Sequence, residues 1–282
     1  MPEIKIAASA PWLPKAVASE PAIVPAPTNT PAKIKTPQLA CALLYFFIFL
    51  NSVSNKVKWI KTLKDLPPFE GVIFGNELLD AFPVHLFEGV NGKWQECCVD
   101  LNKDRRDPSA SLGMTEMSDA ARTPFTFVHQ SSHLSIISKL TSKVRGKVEV
   151  CPEAGIWLQD AEAKLKKGYI LFLDYGLTDE EYLEVERPEG TLRSYKNHHV
   201  TKNILDNPGE QDITYHVRWT PLIEEAVKLD LRQEEFIQQG RWLTRIVAEN
   251  ELQLTPTEVR QFQTLSHPEM MGAPFRVLVL RK

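Results

Sequence analysis

Three polar or acidic side chains follow a short apolar run and could bind a ligand together. Residues 72–74 indicate a buried strand, and Asn76, Glu77 and Asp80 come soon after it. Their spacing places Glu77 and Asp80 one turn apart on a short helix that Pro83 ends. Ligands of open α/β sheets bind beyond the carboxyl ends of the strands, where these side chains are expected. The alternative is an ordinary strand followed by a capped turn.

A second apolar run with an acidic end lies about 100 residues later. Residues 152–168 indicate a helix with one apolar stripe, begun by a proline and closed by lysines and a glycine. This helix leads into a buried strand over residues 169–173, which ends at Asp174 and Tyr175. Strands that follow helices and end in acidic groups predict a parallel α/β sheet. An apolar run at 275–280 predicts a final strand, and the order of elements suits a sheet finished by an antiparallel edge hairpin or strand.

The remaining elements are predicted from turn residues, helix caps and apolar periodicity. They are a hairpin over 85–99 around Asn91 and Gly92, a surface loop over 102–125, a helix over 132–140, a strand over 147–151, a helix from Thr220, a helix that includes 236–246, and a helix after the capping box at 255–258.

A long polar segment over residues 187–217 contains many groups that could contact a ligand. Its interleaved aromatic residues argue against disorder, so we expect either a functional loop or an ordered surface loop. We expect His199 to be solvated or locally satisfied. His198 and His216 are not spaced as a metal-binding pair.

The first part of the chain has a different composition. Residues 1–37 are rich in proline and predict a disordered leader. Residues 38–54 form an apolar segment of uncertain role, and their uncharged stretch is shorter than the roughly 20 residues of a spanning helix. We therefore expect a buried segment or a stretch foreign to the domain here, and no membrane contact. Residues 55–282 have the composition of a folded domain.

The overall charge and the cysteine spacing argue against a nucleic-acid partner, a metal site and a disulfide framework. A formal net charge of -3 gives no electrostatic reason for a nucleic-acid partner. The four cysteines form no C-x-x-C pair and have no histidine at ligand spacing, so we expect neither a metal site nor a disulfide framework. A reducing compartment is the simplest interpretation.

Four motifs together resemble the MidA-type methyltransferases, which include a mitochondrial complex I assembly factor that symmetrically dimethylates arginine. They are NELLDAFPV at 76–84, DYG at 174–176, EGTLRSY at 189–195 and PGEQDITYHV at 208–217. The resemblance covers the chain from about Lys56 onward and implies a class I methyltransferase fold, a Rossmann-like α/β sheet with helical and loop insertions. It also implies S-adenosylmethionine as cofactor and a protein arginine as acceptor, with a subunit of NADH dehydrogenase (complex I) as a candidate partner.

The resemblance also implies roles for individual residues. Asn76 is expected beside the cofactor methyl group, while Glu77 and Asp80 orient the acceptor, because carboxylates bind a guanidinium through paired hydrogen bonds. These three are the expected catalytic residues. The remaining assignments are cofactor binding by Gly75, Asn76, Asp174 and Tyr175, and acceptor binding by Arg193, Tyr195, His198, Asp212, Thr214 and His216.

One feature departs from the family pattern. The family's cofactor-binding turn is rich in glycine, but the first glycine in this sequence is Gly71. We therefore expect a partial sheet without its first strand and helix units, an unpaired edge at residues 72–74, and weak or absent cofactor binding. The alternative to an enzyme is an inactive fragment or a binding module that keeps the acceptor side. The expected location is the mitochondrion for a eukaryotic source and the cytoplasm for a bacterial one.

Overall fold

A computed structural model describes most of the chain, and the described residues form two compact units. The first unit comprises Met1–Asp80, Ala154–Gly176 and Trp219–Lys282, and the second comprises Ala81–Glu153 and Leu177–Arg218. The described residues are 3–5 (backbone only), 60–101, 125–132, 146–196, 199–201, 203–206 and 208–282.

The first unit is built on a sheet in which five strands follow the order β1-β2-β7-β13-β12. Its strands are β1 (Glu3–Lys5), β2 (Phe69–Asn76), β7 (Leu165–Leu177), β12 (Arg232–Gln238) and β13 (Phe275–Arg281). Its helices are α1 (Pro152–Lys164), which begins in the second unit, α3 (Trp219–Lys228), α4 (Gln239–Glu249) and α5 (Pro256–Ser266). A 3-10 turn covers Leu63–Asp65, and a π turn covers Pro268–Gly272.

The strand directions confirm the predicted α/β sheet. β2 and β7 are parallel neighbours, with Asn76 opposite Leu173 at their carboxyl ends. β13 runs antiparallel to β7 on one side and to β12 on the other, so the last strand of the sequence lies inside the sheet. Since the carboxyl ends of β2 and β7 lie at the same edge, the polar residues at these ends and in the turn after β2 are brought together.

Both faces of this sheet carry buried apolar side chains. On one face, Val72, Leu171 and Val277 pack with Trp242 and Ile246 of α4. On the other face, the ring of Trp157 in α1 meets the ring of Phe172 edge-on, with 5.6 Å between their centroids. Burial on both faces explains why the apolar runs of β2 and β7 do not alternate with polar residues.

Two boundaries in the first unit differ from the prediction. The helix expected to reach residue 168 ends at Lys164, and β7 begins at Leu165. Gly168 therefore lies within the strand with φ +140°, beside a register shift in the pairing with β2. An added Cβ there would lie 1.8 Å from the Gly71 oxygen, so this close backbone approach requires glycine.

The predictions for Phe236 and Ile237 and for the edge of β2 were also wrong. Phe236 and Ile237 were assigned to a helix because of their spacing from the following apolar residues. Instead they pair with β13 in β12, and α4 begins after them at Gln239. The strand over residues 72–74 is not an unpaired edge, because β1 runs parallel to it from Glu3 opposite Gly71 to Lys5 opposite Ile73.

The second unit contains two antiparallel sheets. One has the order β5-β4-β3-β6, and the other has the order β10-β8-β9. Their strands are β3 (His85–Val90), β4 (Lys93–Leu101), β5 (Phe125–Gln130), β6 (Lys147–Val150), β8 (Arg193–Lys196), β9 (His199–Thr201) and β10 (Asp212–Thr214). A short helix, α2 (Asp179–Glu184), and a short strand, β11 (Val217–Arg218), complete the unit.

The predicted hairpin and the predicted strand at 147–151 are confirmed. Val90 pairs with Lys93 across a two-residue turn, in which Asn91 and Gly92 both have positive φ. β5 was not predicted, and residue 125 starts it, although the prediction included that residue in a loop. The polar segment expected to be a loop contains the short strands β8, β9 and β10, because successive residues of β9 and β10 pair antiparallel with β8 on its two sides.

Several predictions fall on residues outside the described ranges. They concern the leader over 1–37 apart from β1, the apolar segment over 38–54, the loop over 102–124 and most of the helix over 132–140. Within the described part of the chain, no helix combines the length and apolar character needed to cross a membrane.

Candidate functional site

The carboxylate of Asp174 fixes the backbone that follows β2. Its Oδ2 atom accepts hydrogen bonds from the backbone N–H groups of Leu78 at 3.1 Å, Leu79 at 2.9 Å and Asp80 at 3.3 Å. Its Oδ1 atom accepts from the N–H of Tyr175 at 2.9 Å. Asp174 is only 1% exposed, so its side chain serves the protein's own backbone and positions the neighbouring acidic residues.

The predicted helix over residues 77–83 was wrong. Residues 77–82 form bends and turns, and Glu77 adopts a left-handed φ of +45°. The N–H of Glu77 still donates to the Leu173 oxygen at 2.9 Å, so the chain leaves the sheet only after that residue. The turn directs three successive N–H groups at one carboxylate oxygen, as the first turn of a helix can, but no helical turn follows it.

The side chains of Asp80 and Tyr175 are joined by a short hydrogen bond. The Tyr175 hydroxyl donates to Asp80 Oδ2 at 2.6 Å, and Asp80 is 5% exposed. The ring of Phe275 meets the Tyr175 ring edge-on, with 5.4 Å between centroids, and so fixes its orientation. Sequence reasoning did not assign a role to Phe275, whose place beside Tyr175 follows from the antiparallel pairing of β13 with β7.

Asn76 and Glu77 form the other polar pair of the site. The Asn76 side-chain amide donates to Glu77 Oε1 at 3.3 Å, and both residues are partly exposed. Thus Asn76, Glu77, Asp80, Asp174 and Tyr175 all lie within the first unit, at the carboxyl ends of β2 and β7.

The electrostatic environment of this cluster is acidic. Burial raises the pKa of Glu77, and the charge of Asp80 raises it further, while the hydrogen bond from Asn76 opposes both effects. Burial and the charge of Asp80 also raise the pKa of Asp174 well above its usual value, against the effect of its backbone donors. A site that concentrates carboxylates in this way attracts a cation, and a bound cation stabilises their charged forms.

The side chains of Leu78 and Phe172 occupy the space that a Cβ atom at Gly75 would need. A Cβ at this position would lie 2.9 Å from Leu78 Cδ2 and 3.1 Å from Phe172 Cδ1. The glycine therefore allows Leu78 to fold back over the end of β2.

The described residues predicted to bind the acceptor belong to the second unit. Arg193 and Tyr195 on β8 lie opposite Thr214 and Asp212 on β10, and paired residues of an antiparallel sheet point to the same face. These four side chains therefore share one face, and Arg193, Tyr195 and Asp212 are exposed. His198 lies outside the described residues.

His216 follows β10 and is anchored through its backbone. Its N–H donates to Thr191 Oγ1 at 3.1 Å, while Thr191 binds the buried carboxylate of Glu149 through both its N–H and its hydroxyl. Burial lowers the pKa of His216, and the charges of Arg193 and Arg187 lower it further. His216 is therefore neutral near pH 7 and suited to hydrogen bonding.

Comparison with known proteins identifies the class of protein. A family described as "Putative S-adenosyl-L-methionine-dependent methyltransferase" matches residues 27–237, which is most of the chain. The chain belongs to this methyltransferase family, whose cofactor is S-adenosylmethionine.

The chain is also similar to curated proteins that are named protein arginine methyltransferase NDUFAF7 and described as mitochondrial. The chain is 24% identical to the Danio rerio protein over 230 residues, with 78% of this chain and 49% of the relative covered. It is 24% identical to the Homo sapiens protein over 247 residues, and the match covers 83% of this chain and 51% of the human protein. The chain thus spans about half the length of these relatives.

Solved structures support the class I methyltransferase fold. A protein from Burkholderia thailandensis, crystallised with bound S-adenosyl-homocysteine, matches with a TM-score of 0.65 and 25% identity. The match covers 86% of this chain and 61% of that one. A native crystal structure from the same organism has the same TM-score and identity, and the match covers 87% of this chain and 64% of that one.

Proposed function

We propose that this chain acts in S-adenosylmethionine-dependent methyl transfer to protein arginine, with its reacting groups at the carboxyl ends of β2 and β7. The observation that carries the proposal is the binding of three consecutive backbone N–H groups by Asp174. These bonds hold the segment that contains Glu77 and Asp80 in one conformation. Family membership and the arginine methyltransferase relatives supply the reaction class.

The proposed roles follow from the chemistry of the transfer. S-adenosylmethionine supplies an electrophilic methyl group, so the protein mainly aligns the nucleophile and excludes water. Glu77 and Asp80 bind the guanidinium of the acceptor through charge-assisted hydrogen bonds. Asn76 is proposed to contact the bound cofactor beside its methyl group, and its amide donates to Glu77 and so orients that side chain. Tyr175 and Asp174 are positioning residues, since one holds the Asp80 side chain and the other holds its backbone.

Cofactor contacts in this proposal come from the end of β2 and the start of the turn. Gly75 and Asn76 contribute backbone and amide groups there, while Asp174 and Tyr175 support the same wall from β7. The two carboxylate oxygens of Asp174 already accept four backbone hydrogen bonds, so its contribution to cofactor binding is indirect.

The acceptor-binding surface is proposed to lie in the second unit. It consists of Arg193, Tyr195, Asp212, Thr214 and His216, to which the resemblance adds His198. Exposed arginine, tyrosine and aspartate on one sheet face can bind a protein chain through hydrogen bonds and stacking. The proposed acceptor class is a subunit of NADH dehydrogenase (complex I), with symmetric dimethylarginine as the product. The proposed location is the mitochondrion for a eukaryotic source and the cytoplasm for a bacterial one.

A methylation assay with the full chain, labelled S-adenosylmethionine and purified NADH dehydrogenase subunits tests the proposal. We expect label in an arginine side chain and symmetric dimethylarginine in the mass spectrum of the digested acceptor. Calorimetry with S-adenosylmethionine is the companion measurement. Micromolar binding supports an enzyme. No binding heat together with no transfer would favour the alternative, a binding module that keeps only the acceptor side.

A further inference from the structure

Three side chains with different donor atoms meet on one face of a sheet in the second unit. Cys97 on β4 lies directly opposite His129 on β5. Glu88 on β3 pairs with Gln95, which is two residues before Cys97 on the same face of β4. Three strands that are distant in sequence therefore present a carboxylate, a thiol and an imidazole side by side.

The three donor atoms are already close to one another. His129 Nε2 lies 2.9 Å from Glu88 Oε2, and Cys97 Sγ lies 3.8 Å from the same oxygen. The donor atoms all lie within 4.8 Å of one another. Donors around a tetrahedral zinc ion are about 3.5 Å apart, given its bond lengths. Small side-chain rotations are therefore sufficient to place all three around one ion.

We propose that Glu88, Cys97 and His129 form a binding site for a divalent, thiol-binding metal ion of the Zn²⁺ class. The donor set of sulfur, nitrogen and oxygen suits Zn²⁺ or Co²⁺ and does not suit Mg²⁺ or Ca²⁺, which bind oxygen. A thiolate and a carboxylate neutralise the two positive charges of the ion. The side chains of Glu88 and His129 are 32% and 40% exposed, so water can enter and supply a fourth ligand.

Metal binding at this site displaces protons that the free protein holds. The hydrogen bond from His129 lowers the pKa of Glu88, whose carboxylate is therefore ready to bind. Burial raises the pKa of the Cys97 thiol to about 11, so the ion must replace the thiol proton. His129 binds the ion through Nε2 in the tautomer that carries its proton on Nδ1. The neighbouring Lys147 is paired with Glu189 at 2.5 Å, which offsets its charge.

The chain offers a matched control for this site. Cys98 follows Cys97 on β4 and points to the opposite face, so its thiol is excluded from the cluster. Sequence spacing could not reveal the site, because its three members come from separate strands and are joined only by the register of the sheet. The expectation of no metal site considered only cysteines and histidines that are close to one another in the sequence.

The test is a titration of the full, metal-free chain with Co²⁺, followed by competition with Zn²⁺. We expect one ion per chain and a thiolate-to-cobalt charge-transfer absorption in the wild type and in Cys98→Ser. Cys97→Ser should lose the charge-transfer band. His129→Gln changes a side chain that is 40% exposed and should bind the ion more than about 100-fold more weakly, since losing even a group that only orients a ligand costs ~10- to 100-fold.

Zn²⁺ should also raise the thermal unfolding temperature of the wild type and of Cys98→Ser, and a chelator should reverse the increase. Circular dichroism verifies that each variant is folded. The proposal is overturned if the wild type shows no charge-transfer band, if Cys98→Ser loses the band as Cys97→Ser does, or if His129→Gln retains wild-type affinity.

Discussion

The hydroxyl of Tyr175 donates a 2.6 Å hydrogen bond to Asp80 Oδ2, and thereby joins the last part of β7 to the turn after β2. The two residues are 95 positions apart in sequence, and the parallel pairing of β2 with β7 brings them together. Asp80 is held from two sides, because its N–H binds Asp174 while its carboxylate accepts from Tyr175. The position of this carboxylate is therefore fixed before any ligand binds.

A double-mutant cycle measures this connection. Tyr175→Phe and Asp80→Ala each remove the hydrogen bond, so the loss of stability in the double variant should be smaller than the sum of the single losses. We expect a coupling energy of about 1–3 kcal/mol, the range for hydrogen bonds to charged groups and for residues in contact. Urea denaturation of the four proteins provides the values. Additive losses would show that the two side chains do not interact in solution.

Removing the Asp174 carboxylate should destabilise the first unit strongly. Asp174→Ala leaves three buried backbone N–H groups and one part-buried group without this acceptor, and an unsatisfied buried donor costs about 1–3 kcal/mol. We expect a loss of at least about 3 kcal/mol in the free energy of unfolding, measured in urea. Asp174→Asn should lose less, because its amide oxygen still accepts. Asp65→Ala, at an exposed position, is the control and should change stability by less than about 0.5 kcal/mol.

Stability should depend on pH through Glu77. Because burial and Asp80 raise its folded pKa above the model-peptide value of 4.5, the folded protein binds more protons than the unfolded one above that pH. The favourable contribution of the neutral form is present below pH 4.5 and is lost as the pH rises through the folded pKa.

Glu77→Gln should therefore gain stability relative to the wild type as the pH rises from below 4.5 to neutrality. Denaturation series at several pH values measure this difference. Glu70→Gln is the matched control, since Glu70 is exposed on the same strand and should show no such trend. If the difference in the free energy of unfolding between Glu77→Gln and the wild type stayed constant with pH, the pKa of Glu77 would not be raised by its surroundings.

Gly168 should tolerate no side chain. In Gly168→Ala, the new Cβ meets the backbone of Gly71 and must adopt a positive φ, so we expect a loss of more than about 3 kcal/mol. Gly92→Ala provides the comparison, since Gly92 also has positive φ but has open space around it, and should lose only about 1–2 kcal/mol. Thermal or urea unfolding measures both. Equal losses of stability in the two variants would mean that β2 leaves enough space at residue 168 for a Cβ atom.

Sequence patterns predicted the elements whose signals are local. The apolar runs of β2, β7 and β13 indicate buried strands, and the Asn91-Gly92 turn and the Thr255 capping box identify a hairpin and a helix start. The patterns failed where tertiary pairing decided the conformation. Phe236 fits a helical stripe by spacing, but hydrogen bonds to β13 make it part of a strand.

In the candidate site too, local sequence patterns predicted some features and tertiary contacts decided the others. The acidic residues of the site could be selected from sequence because each follows a predicted strand. The turn geometry could not be predicted, because it depends on a carboxylate 94 to 96 residues away that binds three N–H groups. The roles of Phe275 and of the cluster at Glu88 likewise depend on strand register, which single-residue patterns do not contain.

The proposed function is tested most directly by methyl transfer from labelled S-adenosylmethionine to an arginine-containing acceptor, compared between the full wild-type chain, Glu77→Gln, Asp80→Asn and Glu70→Gln. We expect the wild type and Glu70→Gln to transfer at equal rates. Glu77→Gln and Asp80→Asn should each lose on the order of 100-fold, which corresponds to ~2.7 kcal/mol of transition-state stabilisation. No transfer by the wild type, or transfer by Glu77→Gln and Asp80→Asn at the rate of Glu70→Gln, would contradict the proposed site.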